Sequence, residues 1–105
     1  MTYFCKTKNT KMKGEVELLP IHEKKLNWNE ANKLCERLND GWRLPTPAEL
    51  HLMYEKKVDG LNAMYWSSCE YVGDFVHYWD FTLEHPRVMA NHKGCAMNVV
   101  LIRNI

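Results

Sequence analysis

Trp42-Arg43-Leu44-Pro45-Thr46-Pro47-Ala48-Glu49-Leu50 is the stretch that most limits what this chain can fold into. Pro45 and Pro47 each remove a backbone donor and hold φ near −65°, which rules out a continuous helix or a central strand across the segment. Thr46 has the side chain of an N-cap, Pro47 falls at the first helical position, and Glu49 follows three residues after Thr46. Together they spell a capping box with proline where its missing N–H costs nothing. One element therefore ends near Trp42, a tight junction follows, and a helix begins.

The elements on either side follow from spacing. Asn27 and Glu30 form a second capping pattern, and Trp28, Ala31, Leu34, Cys35 and Leu38 recur at helical spacing. This predicts a helix over Leu26 to Gly41 with one apolar stripe, Gly41 closing it in a left-handed cap. The second helix is predicted from Thr46 to about Lys57. Upstream, Met1 to Cys5 reads as a strand, and Glu15 to Leu19 as another stopped by Pro20. Between them Lys6, Lys8, Lys11 and Lys13 read either as a basic patch or as a solvated hairpin around Asn9-Thr10, with the hairpin preferred. Downstream, strands are predicted over Met64 to Ser68, Phe75 to Thr82, Arg87 to Ala90 and Ala96 to Arg103. Turns are expected at Asp59-Gly60, Glu84-His85-Pro86 and Asn91 to Gly94. Both alternating sets of Phe75 to Thr82 contain apolar residues, as expected of a strand covered on both faces. Helices followed by a run of strands give an α+β layout, two helices packed on a twisted antiparallel sheet.

The totals set limits. One hundred and five residues suit a single domain, 1–105. A formal net charge of +1 creates no field that favours nucleic acid or an anionic membrane. No apolar run reaches membrane-spanning length, and Met1 to Gly14 lacks the apolar core of a secretory signal. The expected location is therefore the cytoplasm, unless the protein leaves as part of a virion or an exported assembly. Cys5, Cys35, Cys69 and Cys95 form no C-x-x-C pair, which argues against a zinc knuckle, and in that compartment reduced thiols are expected.

Several segments together resemble one family. They are Trp28-Asn29-Glu30-Ala31 with Cys35 and Leu38, Gly41-Trp42-Arg43-Leu44-Pro45-Thr46 with Glu49-Leu50, and Tyr65-Trp66-Ser67-Ser68. Tyr78-Trp79-Asp80-Phe81 and the closing Val100-Leu101-Ile102-Arg103 complete the set. The chain resembles, over Leu26 to Arg103, the C-terminal domain of the collagen-like adhesin Lcl, a bacterial and phage family with a C-type-lectin-like fold. It is more distantly similar to formylglycine-generating enzymes. The resemblance implies a binding module, with sulfated glycans as a ligand class. Members often carry a cysteine where Leu101 stands, so Cys35 is expected to be a reduced core residue. Cys69 and Cys95 fall near where such folds place a second bridge, and reduced thiols are again preferred. The 105 residues hold no collagen-like repeat, so trimeric display on a stalk is not expected.

The calcium-dependent sugar motifs of such lectins are missing, and Asp59, Glu70, Asp74 and Glu84 read as solvated loop acids. His92 and Cys95, with His85 before them and Cys69 as a fourth group, could be assembled into a metal site, but a surface His and a buried Cys are preferred. A Cys95–His92 nucleophile would need an orienting third group, and none is in view. No metal, no cofactor and no enzymatic activity are therefore expected. Trp28, Trp42, Pro45, Thr46, Trp66 and Trp79 read as the structural motif. Arg43 is expected to pair with Glu49 or Asp80 and lock the junction to the sheet. Recognition is expected at the strand connections, Glu70 to Asp74 with Glu84 to Lys93. His85, Arg87, Asn91, His92 and Lys93 are the candidate ligand contacts, for an anionic glycan or a protein. The alternative is an assembly protein, a homo-oligomer or virion part, with no glycan ligand.

Overall fold

The computed structural model describes residues 16–82 and 88–104. The expected strand Met1 to Cys5, the lysine hairpin and the Glu84–Pro86 turn lie outside the described residues. The element order is β1 (Val16–Leu26), α1 (Trp28–Leu38), α2 (Pro47–Glu55), β2 (Met64–Glu70), β3 (Phe75–Asp80), β4 (Val88–His92) and β5 (Met97–Asn104). Among the described residues these strands form one five-stranded sheet, in the order β1-β5-β2-β3-β4. The expected α+β class, two helices with a sheet, holds.

The sheet is antiparallel except at its centre, where β2 and β5 run parallel through the pair Tyr65 and Asn98. The last strand enters the middle of the sheet rather than its edge, and its direction there is set by its antiparallel pairing with β1 from Val16–Asn104 to Ile21–Val99. β2 and β5 then diverge, and the Trp42–Thr46 junction occupies the fork. Arg43 N–H donates to Ile102 O at 3.0 Å, Ile102 N–H returns the bond to Arg43 O at 2.9 Å, and Ser68 N–H donates to Pro45 O at 2.8 Å. The junction thus joins both halves of the sheet. β2 receives it through a bulge between Trp66 and Glu70, where the register with β3 shifts.

β5 divides the core. Val99 and Leu101 join Leu26, Ala31, Cys35, Leu44, Trp66, Val76 and Tyr78 in one cluster, which includes the α1 stripe. Val100 and Ile102 join Leu50, Met53, Leu61, Tyr65 and Trp79 in a second, which includes α2. Alternate residues of one strand point to opposite faces, so the two helices cover opposite faces of the sheet. Trp66 and Trp79 are buried, as a core reading requires.

Boundaries differ from expectation for physical reasons. Pro20 does not stop β1, because β1 is an edge among the described residues and needs no N–H on its outer side. Leu26 closes β1 and Asn27 caps α1, with both halves of the capping box made. α1 ends at Leu38, three residues before Gly41, and positive φ is shared by Asn39, Asp40 and Gly41. Asn and Asp tolerate that region better than other side chains. β3 stops at Asp80, whose carboxylate accepts from the N–H and hydroxyl of Thr82. Asp80 is therefore not the partner of Arg43. β4 continues through Asn91 and His92, so the expected turn begins at Lys93.

Candidate functional site

Two connections meet at one end of the sheet. The β2–β3 hairpin turns at Val72 to Phe75, with Phe75 N–H donating to Val72 O at 3.0 Å and Tyr71 N–H to Phe75 O at 2.8 Å. Gly73, at φ 59°, takes the left-handed position. The β4–β5 turn lies beside it, because Phe75 pairs with His92 across β3 and β4. Lys93 N–H donates to Asp74 O at 2.9 Å, and Lys93 O accepts from Trp28 N–H at 3.1 Å. The second bond satisfies one of the orphan donors at the start of α1. Hairpin, turn and helix are thereby fixed to one another.

The candidate ligand residues fall as follows. His85 and Arg87 lie outside the described residues. Asn91 Oδ1 accepts from His92 N–H at 2.9 Å and from the Cys95 thiol at 3.5 Å. His92 Nδ1 accepts from Gly94 N–H at 2.9 Å, and its ring meets Phe75 edge to face with centroids 5.8 Å apart. The thiol of Cys95 thus faces an amide oxygen, and the His92 nitrogen that accepts is spent on the backbone, so the two do not form a base–nucleophile pair. Lys93 Nζ lies 3.1 Å from the Glu70 carboxylate and 5.2 Å from the centre of the Trp28 ring. Its charge is engaged by an acid and an aromatic face. Trp28 itself donates from Nε1 to Ser67 O at 2.9 Å, in the β2 bulge.

Three large apolar side chains stand exposed at this end. Tyr71 and Val72 are each 61% exposed and Phe75 43%. The Tyr71 ring lies 4.9 Å from that of His77, whose Nδ1 is buried without a hydrogen-bond partner. Burial holds the His77 imidazole below its ordinary pKa of 6.5. Sequence reasoning selected the segment Glu70 to Asp74 but passed over Tyr71, Val72 and Phe75. A signal was present: Tyr71-Val72 precedes Gly73-Asp74, so an aromatic and a β-branched residue stand at a turn, where small polar residues are usual.

The junction residues build the support. Arg43 reaches the Glu49 carboxylate with two bonds, at 2.8 and 2.9 Å, and donates to Asn104 Oδ1 at 3.1 Å. The bond to Glu49 holds the guanidinium above its ordinary pKa. Trp42 lies under Arg103, whose guanidinium carbon is 4.7 Å from the ring centre. Cys35 is buried and burial pushes its thiol up to about 11, so it is no nucleophile at neutral pH. Cys95 is an exposed free thiol. Cys69 is disulfide-bonded, against the expectation of a reduced thiol, and not to Cys95. Among the described residues no three His, Cys, Asp or Glu side chains converge as a metal site, and no helix is long and apolar enough to cross a membrane.

No family model matches the chain, and no curated protein matches it. Among solved structures it is similar to EMS16, a C-type-lectin-like protein whose structure is described as that of an antagonist of the collagen receptor integrin α2β1. The superposition has a TM-score of 0.66 at 12% identity and covers 90% of this chain and 96% of the other. The fold is C-type-lectin-like.

Proposed function

We propose that this chain is a non-enzymatic binding module that grips a protein partner through the β2–β3 hairpin tip and the adjoining β4–β5 turn. The observation that carries the reading is the exposure of Tyr71, Val72 and Phe75 together on a hairpin anchored to α1. Large side chains held on a rigid support make good anchors, because little further entropy is lost when they are covered. EMS16, which shares the fold, acts on a protein receptor, and that supports a protein partner over a small sugar. The resemblance to the Lcl C-terminal domain supports a second reading, an anionic glycan held by the cations near the same turn. Lys93 argues against it, since an arriving sulfate would have to compete with Glu70.

The test compares two variants across two assays. Tyr71→Ser/Phe75→Ser should lose partner capture from the native host while keeping its far-ultraviolet circular dichroism. Arg87→Ala/Lys93→Ala should keep most of the capture, since the apolar tip stays in place. Retention of sulfated glycans by the unaltered protein and their loss in the Arg87/Lys93 variant would reverse the choice. Sedimentation separates self-association from a foreign partner: an oligomer that the tip variant dissolves makes the partner a second copy of the chain.

A further inference from the structure

A concavity away from the candidate site shares no residue with the hairpin tip. It is a groove of about 370 Å³ between α1 and the outer half of β1. Its floor is apolar, made by Ile21, Leu26 and Leu34. Leu38, one turn beyond Leu34 on the same helix face, stays 39% exposed and prolongs the apolar strip.

The groove also carries Lys24 from β1 and Lys33 and Arg37 from α1. Lys33 and Arg37 are four residues apart and lie one above the other on the helix. Among the described residues none of the three cations takes part in an ion pair. Two acids also line the groove, Glu23 and Glu30. Glu30 is committed to the helix start, where its Oε1 accepts from Asn27 N–H at 2.9 Å. Three unpaired cations thus face one uncommitted carboxylate over an apolar floor.

We infer that this groove binds a small organic anion with an apolar body, an alkyl or aryl carboxylate or sulfonate, with the apolar part along Leu26 and Leu34 and the charge between Lys33, Arg37 and Lys24. The volume lies in the range of small-molecule sites, and the surface is concave, unlike the broad flat patch of a typical protein interface. A plain inorganic anion leaves the floor wet, and a neutral hydrocarbon leaves the cations unanswered. Only an amphiphile satisfies both.

Octanoate is a suitable probe, with acetate as the head without the body and 1-octanol as the body without the charge. Titration followed by backbone amide shifts should give saturable changes over residues 21–26 and 30–38. Acetate and octanol should each bind at least roughly tenfold more weakly than octanoate, and Lys33→Glu/Arg37→Glu should weaken octanoate by roughly tenfold, the size expected for two partly exposed charges. The double variant alters exposed helix positions; if it does not fold, Lys24→Glu on β1 reads the same effect. The inference is overturned by any of four results: no saturable change at millimolar octanoate, changes centred on the hairpin tip, equal affinity in the folded charge-reversed protein, or acetate binding as tightly as octanoate.

Discussion

The carboxylate of Glu49 has 2% of its side chain exposed and accepts three hydrogen bonds, two from the Arg43 guanidinium and one from Thr46 N–H at 2.9 Å. A buried charge is tolerated only while such partners remain. Arg43→Ala should therefore cost about 3 kcal/mol, since it strands the carboxylate rather than merely losing a contact. Arg43→Lys keeps the charge but not the two-pronged geometry, and should fall between the two. Urea midpoints with an unchanged slope would measure both; a loss below about 0.5 kcal/mol in Arg43→Ala would mean the pair is only a surface bridge. His77 makes a prediction of the opposite kind. Its half-buried ring takes a proton less readily than in the unfolded chain, where the value is 6.5. Below that pH the unfolded state binds more protons, so stability is full above about 6.5 and falls as the pH drops through the lower folded value. His77→Gln should flatten the stability profile between pH 7.5 and 5, and an unchanged slope would place the acid sensitivity elsewhere.

At the scale of elements, both helices begin with the same device. Asn27 and Glu30 start α1, Thr46 and Glu49 start α2, and each pair makes both bonds of the box. These starts were legible because the donors they satisfy belong to the local chain. Helix ends and strand ends were less so. Pro20 reads as a stop because its missing donor is visible in the sequence, whereas the place of β1 at the edge among the described residues is not. Gly41 was read as the cap of α1, yet Asn39 and Asp40 leave the helix first, and Arg103 on β5 receives the loop through Asp40 O at 3.3 Å. That partner is 63 residues away. Thr46→Ala should cost about 1 kcal/mol and Thr46→Ser much less, since serine keeps the accepting oxygen. Thermal melts of the two would separate the cap from any packing of the Thr46 methyl group: equal losses would assign the effect to the methyl.

At the scale of the molecule, the proline junction and the last strand explain each other. The chain leaves the α1 face with Leu44 in the first core cluster and re-emerges with Leu50 in the second. It makes that passage in the fork between β5 and β2, bonded to Ile102 on one side and to Ser68 on the other. The two prolines were visible in the sequence as a break; the fork was not, because it depends on the parallel β2–β5 pair, which no local pattern encodes. The site was half legible for the same reason. Spacing located the two connections, but their joining through Lys93 and Asp74 comes from the strand order. β5 then ties the layers into one unit. Leu101 and Ile102 are both fully buried, adjacent in sequence, and belong to opposite clusters. Leu101→Ala and Ile102→Ala should each cost about 2–5 kcal/mol, from lost burial plus the cavity left behind. If the sheet couples its two faces, each substitution lowers the midpoint seen by both Trp66 and Trp79, because a domain with only about 5–15 kcal/mol in hand cannot melt one face and keep the other. Proteins retaining one of those tryptophans at a time, the other three replaced by Phe, make the comparison. Coincident transitions in both substitutions fit a single cooperative unit, whereas a Trp79 signal that outlasts Trp66 in Leu101→Ala would mean the faces unfold separately.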